Sequence, residues 1–135
     1  SGIKNGLKAI TDMQREVVLC PPFPWLVPVA ELLNDHRIKG ISVGAQNIFW
    51  KDEGAYTGEV SAAMLKNLVS HVIIGHSERR RWFEESDAIV LAKTKAAIAN
   101  QLMPIVCIGE VKKPVKAVSD DPSLLNLTDG TTIFD

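Results

Sequence analysis

This sequence lacks a surplus of charge of either sign: 15 basic residues face 16 acidic ones, for a net charge of −1. Without a basic surplus there is no electrostatic footprint for nucleic acid or anionic lipid. No apolar run approaches the roughly 20 residues that span a bilayer, and no N-terminal secretory pattern is present, so the sequence predicts a cytoplasmic protein without membrane contact. Cysteine is scarce. Cys20 and Cys107 each lie inside an apolar run, without CxxC spacing or a local histidine, which reads as two buried thiols and not as zinc or redox chemistry. Glycine-rich nucleotide loops of the GxGxxG and GxxxxGK[ST] types are absent. Aromatics make up only 6%.

What is there is a globular balance, 46% apolar and 23% charged over 135 residues, which fits one domain. Apolar residues recur at helical spacing at Ile3, Leu7, Ile10 and Met13. A short β-branched run, Val17 to Cys20, stops at Pro21-Pro22 and reads as a buried parallel strand. Pro24 opens a helix with Leu26, Val29, Ala30 and Leu33 on one face, broken by Asn34-Asp35-His36 and Gly40. Residues 41–45 are the next strand. Thr57 or Ser61 caps a helix with Val60, Met64, Leu65 and Leu68. His71 to Ile74 is the most strand-like run. Ser86-Asp87 starts a helix expected to turn Ile89, Ala92, Ala96 and Ala99 inward, and Pro104 leads into Ile105-Val106-Cys107-Ile108. Strands alternating with helices imply right-handed crossovers and a parallel sheet.

Two units emerge: an α/β unit over 1–110, and a lysine-, serine- and aspartate-bearing stretch over 111–135 without clear period. This stretch is expected to be an irregular tail that wraps the domain or is partly disordered.

Ligands of parallel α/β folds bind at the C-terminal strand ends. Gln46, Asn47, His76, Glu78 and Glu110 fall there. A neutral imidazole at position 76 could polarise a carbonyl, although a rim histidine satisfied by backbone has the same spacing. Glu78 could hold a cation or carry a proton, or form a surface ion pair with Arg79, Arg80 or Arg81. Trp82 and Phe83 read as packing residues. The apolar 46–58 loop, with Ile48, Phe49, Trp50 and Tyr56, reads as a partner surface or as a loop folded onto its own domain.

Several segments, in order and in register, resemble one family: Val18-Leu19-Cys20-Pro21-Pro22-Phe23, Gly44-Ala45-Gln46-Asn47, Gly54-Ala55-Tyr56-Thr57-Gly58-Glu59, Gly75-His76-Ser77-Glu78-Arg79-Arg80, Phe83-Glu84-Glu85-Ser86-Asp87 and Pro104-Ile105-Val106-Cys107-Ile108-Gly109-Glu110. Over about residues 3–110 the chain is similar to triosephosphate isomerase. The resemblance implies a partial (β/α)8 barrel with four parallel strands, roughly strands two to five of eight. It implies cofactor-free, metal-free interconversion of dihydroxyacetone phosphate and D-glyceraldehyde 3-phosphate through an enediolate.

By the same resemblance His76 matches the electrophile that contacts substrate. Glu78 matches a glutamate that contacts the catalytic lysine, and Cys107 a cysteine near the catalytic base. Gln46, Thr57, Glu59, Arg79 and Glu85 match positions at or near the contact of a homodimer, in which the 46–58 loop enters the neighbour. The family's Asn-x-Lys strand precedes the matched stretch. Its glutamate base, lid and glycine-rich phosphate site follow it, so this chain alone is expected to be incomplete for catalysis. The alternative is a non-catalytic half-barrel that binds a protein partner or a sugar phosphate.

Overall fold

The computed structural model describes residues 16–35 and 40–109. The helix expected over 3–14, the break at His36, Glu110 and the 111–135 stretch lie outside the described residues. Within them the chain alternates strand and helix. β1 (Val17–Leu19) leads through a 3-10 turn (Phe23–Trp25) to α1 (Leu26–Asp35), then β2 (Ile41–Ala45) and the short α2 (Ala62–Leu65). β3 (His71–Ile74), α3 (Ser77–Trp82), α4 (Asp87–Ala99) and β4 (Met103–Val106) follow.

The strands form one parallel sheet in the order β1-β2-β3-β4. Its register pairs Val17 with Ile41, Gly44 with His71, and His71 with Met103. Because side chains alternate along a strand, this register puts Val43, Ala45, Val72 and Ile74 on one face. The helices cover that face, and Leu26, Leu33, Ile48, Leu65, Val90 and Leu102 complete the core there. Burying each of the larger aliphatic groups contributes about 1.5–3 kcal/mol. The opposite face carries Val18, Ser42, Gly44, His71, Ile73, Met103 and Ile105, and is open at β4, where Met103 is 61% exposed, while His71 beside it is 6% exposed. Gly44 is needed on this face, because a Cβ there would lie 2.7 Å from Cys20 Sγ.

Two of the helices start where a serine oxygen caps them. Ser61, not Thr57, caps α2 by accepting from the Met64 amide, and Ser86 caps α4 by accepting from the Ile89 amide. Two expectations for helix faces change. Met64 points outward, while Leu65 is buried. On α4 the buried stripe is Val90, Lys93 and Ala97; Ala99 is exposed, and Ile89, Ala92 and Ala96 only flank the stripe. The stripe is rotated because a lysine lies at its centre. Lysine is almost never buried unless paired, and here it is paired.

Candidate functional site

The strand ends converge as the topology requires. After β3, Gly75 takes φ 70°, a left-handed turn that glycine makes without strain. A Cβ there would also crowd Val90 Cγ2 at 3.0 Å. The turn sets His76 as the N-cap residue of α3, with its Nδ1 accepting from the Glu78 amide at 3.3 Å. An Nδ1 that accepts a hydrogen bond carries no proton, so Nε2 is the ring's donor. The Glu78 carboxylate lies 3.6 Å from the same Nδ1, and both side chains are solvent-accessible. Glu78 is thus a neighbour of the imidazole on the side away from its donor.

Cys107 extends the ladder past β4, its amide donating to Ile74 O at 2.9 Å, so it comes beside the end of β3. Burial pushes its thiol up, against the lowering influence of Arg80. Burial does the same to Cys20. Both thiols stay protonated at neutral pH and are poor nucleophiles. Among the described residues no group of three or more His, Cys, Asp or Glu side chains could hold a metal ion.

The arginine run is committed to the chain itself. Arg80 Nε donates to Gly75 O at 2.8 Å and its Nη1 to Asp87 at 2.6 Å, bracing the turn below His76. Arg79 Nε donates to Glu85. The guanidinium groups of Arg79 and Arg81 lie 4.4 Å from the ring centroids of Phe83 and Trp82. Those two rings do not pack down as expected: Trp82 is 43% and Phe83 63% exposed. A short α3 that ends at Trp82 leaves no facing element among the described residues to cover them.

The 46–58 loop divides into two parts. Its root folds onto the domain, with Ile48 fully buried and Asn47 nearly so. Phe49 stacks against Trp50 and Tyr56, at 4.1 and 4.6 Å between ring centroids. Residues 51–59 are exposed, Thr57 and Glu59 among them. Gln46 is exposed too, its Nε2 donating to Cys20 O at 2.9 Å. Glu85 differs: it is 5% exposed and sits inside the chain, receiving Arg79 and Lys93 on one oxygen. Burial pushes its carboxyl up, but the hydrogen bonds from Lys93 and Arg79 outweigh this and hold it below the usual range.

Lys93 is the functional-looking residue that sequence reasoning missed. Its Nζ donates to Asn47 Oδ1 at 2.7 Å and to Glu85 Oε1. The available signal was its spacing, three residues after Val90 and four before Ala97 on one helical face.

The triosephosphate isomerase family pattern matches residues 2–123 of the chain. This chain belongs to the triosephosphate isomerase family. The match runs further into the C-terminal stretch than residue 110, where the sequence reading ended it. The triosephosphate isomerase of Moorella thermoacetica is 56% identical over 96 residues, covering 70% of this chain and 37% of that protein. That of Trichodesmium erythraeum is 51% identical over 104 residues, covering 76% and 42%. The crystal structure of triosephosphate isomerase from Bartonella henselae aligns with a TM-score of 0.67 at 40% identity, over 82% of this chain and 48% of that one. The chain therefore spans less than half the length of these triosephosphate isomerases, and its parallel sheet is part of their barrel. No helix among the described residues is long and apolar enough to cross a membrane.

Proposed function

We propose that this chain carries the electrophilic side of a triosephosphate isomerase site. In this reading the substrates are dihydroxyacetone phosphate and D-glyceraldehyde 3-phosphate. A carboxylate base takes the carbon-bound proton, the electron pair moves into an enediolate, and His76 Nε2–H stabilises the charge on the former carbonyl oxygen. The observation that supports it is the Glu78 amide on His76 Nδ1, which leaves Nε2 as the donor. The family is a known case of a neutral histidine in that role.

Glu78 is assigned to hold a cationic partner group beside the imidazole. Cys107 is assigned to neighbour the base; its thiol, half-buried and not fully buried as the sequence suggested, stays protonated and suits packing and not attack. The base itself is assigned to the part of the family barrel outside residues 16–109, because Glu78 stands on the Nδ1 side of the ring. A second reading, a non-catalytic interaction module, is favoured by the exposed rings of Trp82 and Phe83 and by the exposed loop residues 51–59. In the first reading the 46–58 loop docks into a second copy of the chain, in the second it buries against a protein partner, and in both the protein works in the cytoplasm.

The test is triose phosphate turnover by the chain alone, and by the chain mixed with the complementary part of a relative's barrel. His76→Gln is expected to lower turnover by about 10²–10³-fold, the usual effect of losing one oxyanion donor. Equal turnover by His76→Gln and the unaltered chain would remove His76 from the chemistry. No turnover in either setting would favour the interaction module.

A further inference from the structure

Lys93 joins its own helix to a turn eight residues before it and to a loop 46 residues before it. It lies on α4 and is 2% exposed. One acceptor, Asn47 Oδ1, is at the root of the 46–58 loop, 46 residues away. The other, Glu85 Oε1, is in the turn between α3 and α4, and Arg79 of α3 donates to the same oxygen. A buried ammonium keeps its place only where acceptors fix it. Conversely, a loop root whose amide oxygen accepts from a buried ammonium has little freedom to turn. Glu59, on the exposed stretch of the same loop, adds an attractive charge toward Lys93.

We propose that Lys93 is the positioning residue of the 46–58 loop: its ammonium ties Asn47 to Glu85 and so sets the direction in which the loop leaves the domain. The consequence for assembly rests on reading this loop as the docking segment; the order of the loop itself does not.

Hydrogen exchange on the full chain tests it, comparing peptides over 46–60 with those over 71–75. Lys93→Met keeps the aliphatic stem and removes the donor. Asn47→Leu keeps the volume and removes the acceptor, and Asn47→Asp keeps both. The first two are expected to speed exchange over 46–60 by at least about tenfold, with little change in β3, while Asn47→Asp stays near the unaltered chain. A uniform rise in all segments, an unchanged loop, or equal loss in Asn47→Leu and Asn47→Asp would overturn the proposal. If Lys93→Met does not fold, the two Asn47 variants alone decide. Sedimentation of the same proteins separates the two readings. A loosened loop with unchanged association overturns the docking reading and leaves the tie standing; an unchanged loop overturns the tie.

Discussion

Glu85 shows how much one buried carboxylate can carry. It meets two cations through one oxygen, and its other oxygen is buried without a hydrogen-bond donor among the described residues. Because its folded-state pKa is depressed, it binds a proton less readily in the folded chain than in the unfolded one. Its contribution is therefore complete above the unfolded value of about 4.3 and fades as pH falls through the lower folded value. Glu85→Gln is expected to cost about 1–3 kcal/mol near neutral pH and to flatten the fall in stability below about pH 4. Urea midpoints across the acid range check this; an acid limb as steep as that of the unaltered chain would show that other carboxylates govern it. His76 is the contrasting case, a half-exposed ring placed by a turn and held by one backbone amide.

At the scale of elements, caps and stops explain the boundaries better than propensity does. The end of α4 is the clearest example. Asn100 closes it, Gln101 takes φ 62°, and the Leu102 amide returns to Ala97 O at 2.9 Å. This is the left-handed helix ending that glycine normally supplies. Gln101 is exposed and its backbone conformation is costly for a residue with a Cβ. Gln101→Gly is expected to stabilise the chain by about 0.5–1 kcal/mol, read as a higher thermal midpoint. A lower midpoint would mean that glycine's added freedom in the unfolded chain outweighs the relieved strain.

For the whole molecule, strand number matters most. Closing a barrel ties tilt and stagger to the number of strands, and the described sheet has four, with β1 and β4 at its edges. The side opposite the helices consequently keeps apolar groups in water: Met103 is 61% and Ile105 39% exposed. Ile105→Lys is expected to cost less than about 0.5 kcal/mol in this chain, whereas an unpaired charge buried inside a closed barrel is costly. Urea unfolding measures the difference, and a loss of several kcal/mol would show that this face is covered in solution.

The alternation of strands and helices could be read directly, because short β-branched runs between helical periods have few other solutions. β2 falls where its apolar run does, and His76 was marked by following β3 and a glycine. Lys93 was hidden for a physical reason: its acceptors are 46 residues away at Asn47 and across a turn at Glu85, and local sequence carries no trace of such partners. The same holds for the 46–58 loop. Its composition is apolar, yet only packing against the domain separates the buried Ile48 from the exposed Tyr56. The order of residues thus settled the class of fold and the candidate rim, since periodicity and breakers act locally. Which charges are buried, and which rings face water, follows from contacts between distant segments and so appears only once the chain is folded.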